Sequence, residues 1–276
     1  MKRKQVIKGI ILYPILCIIG IVAITPLFVL FQLAFSTQEE LAKEGFWQVP
    51  SMTLENISAA WEKADMTQAL INSVTITACG VVLTVFIACS AAYIIARFSD
   101  RFTDIVYQVF VFSMAIPTIV ATVPLYIIMR SLNAINSLWG IILLLVTTSL
   151  PFAIFLYTGF IRSIPKDIED AAKIDGCSNW GILWRIIFPI LTPVTVTVVL
   201  LNTVYFWNEY GRTVFFLQKR ELYTVPLAIS TFIQQYSTSW GLMAGGAFVA
   251  VIPVIVLFLL LQKYYIKGIS GGAVKG

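Results

Sequence analysis

Apolar runs long enough to cross a bilayer return again and again along this 276-residue chain, and no other feature constrains its fold so tightly. The hydrocarbon core of a membrane needs about 20 consecutive apolar residues in helical form. Six stretches meet that demand, roughly residues 9–34, 69–96, 105–129, 138–161, 190–211 and 242–266. Inside hydrocarbon each segment must satisfy its own backbone N–H and C=O groups, so such runs read as helices. Charged residues make up 12% of the chain against 59% hydrophobic ones, which excludes an ordinary soluble domain. The expected class is all-α: a polytopic membrane protein with six transmembrane helices. The fifth run is interrupted by Asn202, Asn208 and Glu209. The first follows Met1-Lys2-Arg3-Lys4, is too long for a secretory signal and lacks a small-residue cleavage site before Gln38. It therefore reads as a retained span.

Basic residues orient the spans. With both termini inside, the inner segments hold Lys2, Arg3, Lys4, Lys8, Arg97, Arg101, Arg162, Lys166, Lys173, Arg185, Lys263, Lys267 and Lys275. The outer segments keep Lys43, Lys63, Arg130, Arg212, Lys219 and Arg220. The bias predicts N-in, C-in with an even number of spans, in contact with membrane lipid. It also accounts for the net charge of +5 without a nucleic-acid partner.

The chain has no histidine, which removes the commonest metal ligand and general base together. Cys17, Cys79 and Cys89 fall in spans and Cys177 in a polar insert, with neither metal-ligand nor disulfide spacing. They read as small apolar fillers. No metal site, cofactor or catalytic residue is expected.

Between the first two runs, residues 36–68 carry Glu39, Glu40, Glu44, Glu55, Glu62 and Asp65. The stretch from Thr53 to Trp61 has helical spacing, with Thr53 as the expected N-cap and Asn56 in the first turn. It fits an amphipathic surface helix and a solvated connector equally well. Pro117 and Pro124 lie seven residues apart in the third run, on nearly one helix face, and predict a kink. A kink there serves a pathway or simple packing. Along the fifth run, Asn202, Tyr205 and Glu209 share a face, and with Asn208 they form the candidate lining of a translocation pathway. Hydrogen bonding between helices is the competing account of these polar groups.

The polar insert from Asp167 to Pro193 is charged yet patterned as ordered helix. Pro165 is expected in the first turn. Asp167, Glu169 and Asp170 sit near the positive end of the helix dipole and Lys173 toward the negative end. Ile168, Ala171, Ala172 and Asp175 are expected on one face. Gly176 suits a left-handed stop and Ser178 an N-cap for a second helix through Trp180, Ile182 and Trp184 toward Pro189. Small alanines on a short exposed helix suit a mechanical contact and not catalysis.

This insert resembles the cytoplasmic loop of ATP-binding-cassette importer permeases, written EAA, three residues, G, nine residues, I, one residue, LP. Asp170-Ala171-Ala172, Gly176, Ile186, Phe188 and Pro189 fall at those spacings, with Asp170 in place of glutamate, Phe188 in place of leucine and Cys177 in place of the usual alanine. The segments TLENISAAW, INS at 71–73, LPFAIFLYTGFIRSIP at 150–165, FWNEYGRTVFFLQ at 206–218 and the tail KGISGGAVKG are similar to maltose-type carbohydrate permeases, and specifically to the second of their two permease subunits. The resemblance implies a type I ABC importer permease fold in a bacterial or archaeal plasma (inner) membrane. It also implies one permease domain over 1–276, with a core at about 68–265, an N-terminal span at 9–34 and a cytoplasmic coupling loop at 162–190. The implied partners are a homologous second permease, two copies of a cytoplasmic ATPase and an extracytoplasmic solute-binding protein. The implied ATPase-coupling residues are Asp170, Ala171, Ala172, Asp175 and Gly176, and the implied cargo is a sugar or oligosaccharide.

The residues themselves support that division of labour, because no GxxxxGK[ST] phosphate loop occurs in the sequence. An ion-coupled secondary transporter is the alternative; it calls for ionisable groups near the midplane, and only Glu209 comes close, toward a span end. A membrane enzyme lacks its usual residues here.

Overall fold

Long apolar runs become long helices. The computed structural model describes residues 2–43, 50–98, 100–117, 119–233 and 239–273; Glu44 and Lys275 of the sequence reading lie outside these. In chain order the elements are α1 (Lys2–Phe35), α2 (Gln38–Lys43), α3 (Glu55–Lys63), α4 (Met66–Arg97), α5 (Arg101–Ser113), α6 (Thr122–Ser131), α7 (Leu138–Ser163) and α8 (Asp167–Ile174). There follow α9 (Asn179–Gly181), a π-helical turn (Ile182–Ile187), α10 (Phe188–Ile190), α11 (Thr192–Trp207), α12 (Thr213–Phe216), a 3-10 turn (Arg220–Leu222), α13 (Val225–Ser230) and α14 (Trp240–Ala273).

Among the described residues, Leu12–Phe35, Met66–Arg97, Leu138–Ser163 and Trp240–Leu260 are each long and apolar enough to cross a membrane. Asn179–Ile190 and Thr192–Trp207, bent by 80°, make a fifth if they form one broken span. The expected third run, 105–129, is not one helix. α5 ends at Ser113, and the N–H groups of Met114, Ala115 and Ile116 turn back to carbonyls three residues earlier. Pro117 has no N–H to continue the ladder, so the kink expected there is a full interruption before α6. Both pieces expose large apolar side chains, including Phe102, Phe112, Val123 and Ile127, as a lipid environment demands.

The chain forms two compact units, residues 1–67 with 228–252 and residues 68–227 with 253–276. In the first, Phe31 and Phe35 each meet Phe248 edge to face, with Phe35 and Phe248 centroids 5.1 Å apart. A capping box opens α2: Thr37 N–H donates to Glu40 Oε2 at 2.9 Å while Glu40 N–H donates to Thr37 Oγ1 at 3.3 Å. The Thr37 backbone bond, with help from Ser51, holds the Glu40 carboxyl below its usual range. The helix expected to be capped by Thr53 starts one residue later than that cap would place it. Leu54 occupies the N-cap, and Thr53 Oγ1 accepts instead from the Glu55 N–H at 3.2 Å. Asn56 is buried and donates to the carbonyls of Leu33 and Ser36, tying α3 to the end of α1.

The second unit has two apolar clusters. One gathers Ala88, Ala92 and Tyr93 of α4, Ile154 and Ile161 of α7, Ala172 of α8 and Ile182 and Ile187 of the π-helical turn. The other joins Ile76 and Val81 of α4 to Ile141 and Leu145 of α7 and Phe206 of α11. Asn72 and Ser73 of the INS segment serve the loop after α12: Asn72 Nδ2 donates to the carbonyls of Glu221 and Tyr223, and Ser73 Oγ accepts from the Val225 N–H. Gly80 of α4 faces the Phe206 ring so closely that a Cβ there would lie 2.7 Å from a ring carbon. Gly80→Ala is therefore expected to destabilise the α4–α11 contact by about 1–3 kcal/mol through overpacking. A lower melting temperature of the detergent-solubilised protein is the expected readout; an unchanged one means the helices part there without cost.

Candidate functional site

The polar insert folds as its residues dictate. The Lys166 carbonyl accepts from Glu169 and Asp170, which makes Lys166 the N-cap of α8. Pro165, expected in the first turn, thus stands just outside the helix and directs the chain into it. At the other end the Gly176 N–H reaches the Lys173 carbonyl and the Cys177 N–H the Ala172 carbonyl, both bonds of a Schellman stop. Gly176 has φ +81°, the left-handed conformation that glycine adopts without penalty. Ser178 Oγ then accepts from the Gly181 N–H at 3.2 Å and opens the second helix. The π-helical turn in that helix was not legible in advance. Pro189 lacks the N–H that an α-helical ladder would give to Arg185, and the ladder relaxes just before it. Trp184 lies at the centre of an aromatic group there, stacked on Phe86 at 5.2 Å and flanked by Trp180 and Phe188.

The face expected on α8 divides in two. Ile168, Ala171 and Asp175 are exposed with Asp170, and Ile174 beside them is 87% exposed. Ala172 is not on that surface: it is 6% exposed and packs into the chain's own apolar cluster. The helical period explains the correction, because Ala172 lies three residues after Glu169 and shares its inward face. Enlarging Ala172 would therefore overpack this chain's own core. Asp170, at the motif's acidic position, is 62% exposed and pairs with Lys173 Nζ at 3.0 Å, a surface pair of little energetic weight. Beside Gly176 an open cleft of about 570 Å³ is lined by Asp175, Gly176, Ser178, Trp180, Trp184 and Arg185.

The carboxylate that structure singles out is Glu169, which the sequence reading used only as a dipole partner. It is buried against Arg97 and Tyr93, with Arg97 Nε to Glu169 Oε1 at 2.5 Å and Tyr93 OH to Glu169 Oε2 at 2.9 Å. A lone arginine ending a 32-residue apolar helix was the available signal.

At the end of α11 the candidate pathway residues separate. The helix stops at Trp207 with Asn208 as its C-cap, so Glu209 lies just past the span. Glu209 accepts from the Arg212 N–H at 2.8 Å through Oε1 and from Arg212 Nη1 at 2.8 Å through Oε2. Tyr205 OH accepts from the same Nη1. Glu209 is therefore compensated by an ion pair, and Arg212 is the partner sequence reasoning missed. An opposite charge at i+3 was the sign of it. Tyr205, Glu209 and Arg212 line a cavity of about 150 Å³ with Ile119, Thr122 and Gly211. Asn202 and Asn208 do not join them: each donates back to a carbonyl four residues earlier, that of Val198 and that of Val204.

The model of a family described as binding-protein-dependent transport system inner membrane component matches residues 80–271. Among similar proteins is a melibiose/raffinose/stachyose import permease protein of Bacillus subtilis (strain 168), 37% identical over 232 residues, spanning 83% of this chain and 84% of that one. A multiple sugar-binding transport system permease protein of Streptococcus mutans is 31% identical over the full length of both. The fold resembles a chain in the crystal structure of a bacterial ABC transporter involved in import of the acidic polysaccharide alginate. The TM-score is 0.84, with 20% identity, over 95% of this chain and 98% of that one.

Proposed function

The chain belongs to the binding-protein-dependent transport system inner membrane component family, and we propose that it is the sugar- or oligosaccharide-conducting permease of an importer whose ATP hydrolysis takes place in a partner subunit. It is an all-α, multi-pass plasma-membrane protein of the ABC permease fold, and this class fits it better than an ion-coupled transporter. Membership implies a second permease, an ATPase and a solute-binding protein as partners in general. We assign two ATPase copies and one homologous permease. We also assign six spans with N-in, C-in orientation, α5 and α6 together making the third across the Pro117 break.

One observation carries the coupling assignment: a short helix ending at a left-handed glycine presents Ile168, Ala171, Ile174 and Asp175 outward while Ala172 and Glu169 hold it from behind. A shallow apolar strip with carboxylates at its edge suits a cleft in another protein. Asp170 and Asp175 supply charge for that docking, Ala171 close approach, and Gly176 the angle; Ala172 contributes by seating the helix. Tyr205 and Glu209, with Arg212, offer hydroxyl, carboxylate and guanidinium groups to a passing sugar at the end of α11.

Ala171→Trp tests the docking surface, since the indole meets only solvent in the isolated chain. The variant is expected to accumulate normally in the membrane, lose the co-purifying ATPase and cease uptake. Normal uptake and co-purification would remove α8 from the coupling role. Uptake that survives collapse of the proton gradient with ATP maintained is the matching expectation against ion coupling.

A further inference from the structure

Glu169 lies next to the outward Asp170, points the opposite way and is 3% exposed. Both of its carboxylate oxygens are taken by donors from α4, Arg97 Nε and Tyr93 OH. Arg97 also donates through Nη2 to the Ile164 carbonyl at 3.1 Å, and Ile164 is the residue that closes α7. One buried group of polar contacts therefore joins the last turns of α4, the end of α7 and the first turn of α8.

We propose that Arg97 and Tyr93 are positioning residues that lock α8 to the C-terminal end of α4, so that a displacement of α8 passes into the membrane helices as rigid motion. This inference rests on the reading of α8 as the ATPase contact. The other inward contact of α8 is the Ala172 methyl in an apolar cluster. Apolar contact is non-directional and lets a short helix slide or roll. A carboxylate gripped at both oxygens by one helix fixes position and rotation together. Leaving that grip would strand a buried charge, so the joint resists small slips. For stability alone a well-packed apolar pair would serve as well as an ion pair; what the ion pair adds is a single register. α4 then continues without a break from Arg97 back to Met66, and near that far end Asn72 holds the Glu221 and Tyr223 carbonyls. A movement delivered at Arg97 thus has an unbroken helical route to the loop that follows Arg212.

The test uses the complete transporter in vesicles, with whichever of melibiose, raffinose and stachyose saturates the cognate binding protein. The readout is sugar imported per ATP hydrolysed, with ATPase co-purification beside it. Arg97→Gln is expected to keep the ATPase bound while lowering the ratio at least about five-fold, the lower edge of usual coupling between sites. Tyr93→Phe is expected to lower the ratio less, and Arg97→Lys, which retains a charge for Glu169 but forfeits the Ile164 bond, to restore part of what Arg97→Gln loses. A merely structural role lowers import and hydrolysis together through the amount of assembled transporter, leaving the ratio unchanged. An unchanged ratio in these variants overturns the proposal. Should Arg97→Gln fail to accumulate, Arg97→Lys and Tyr93→Phe decide by the same ratio. Ala171→Trp separates the two readings. If it keeps the ATPase and full import, the docking assignment fails. If it loses them while the Arg97 and Tyr93 ratios stay normal, only the joint fails.

Discussion

Gly176→Val is expected to insert and accumulate like the natural chain yet import sugar at a small fraction of its rate. At φ +81° a β-branched residue suffers left-handed strain of about 1–2 kcal/mol. Crowding is not the cause, because a Cβ at Gly176 would meet nothing within 4 Å. The chain relieves the strain by undoing the Schellman bonds from Gly176 and Cys177, which tilts the exposed strip of α8 and re-aims the second helix. A modest local energy thus becomes a large loss of docking geometry. The substitution series separates conformation from volume. Gly176→Asn, larger than alanine but tolerant of the left-handed region, is expected to import better than Gly176→Ala, and both better than Gly176→Val. Uptake measured beside membrane abundance checks this, and an order that follows side-chain size instead of left-handed tolerance would sink it.

The other large effect is expected at Arg212. Its side chain and that of Glu209 are 8% and 9% exposed, so Arg212→Met leaves a buried carboxylate without its cation. Breaking one side of such a pair costs about 3–5 kcal/mol. Tyr205 loses its bond to the guanidinium at the same time. Reduced abundance and little uptake are the expected results. Glu209→Gln combined with Arg212→Met removes both charges and is expected to recover abundance but not uptake, if the cavity they line handles solute. Recovery of both in the double variant would reduce the cluster to a structural ion pair. Equal loss in the single and double variants would show that the cost lies elsewhere than in the stranded charge.

Much of this architecture is written locally. The span boundaries at α4, α7 and α14 follow from hydrocarbon thickness and from the backbone's need to satisfy itself, both of which act on the run itself. The stop at Gly176 and the cap at Ser178 are likewise local, since each depends on one residue's conformational range or one side-chain oxygen. Residue spacing at Asp170, Ala171, Ala172 and Gly176 carried the family resemblance for the same reason.

Side-chain partners are another matter, because they depend on which helices come to lie together. Composition and spacing alone determined an all-α membrane chain with an ordered polar insert and marked the insert as its distinctive surface. Tertiary structure decided that Ala172 turns inward while Ala171 stays out and that Glu169 is gripped by residues more than seventy positions earlier. The pairing of Glu209 with Arg212 and the bond of Asn202 to its own helix are by contrast local, three and four residues apart. A helical period gives which residues share a face but not which neighbour that face meets. Burial, and with it the meaning of each charge, is a property of the neighbour.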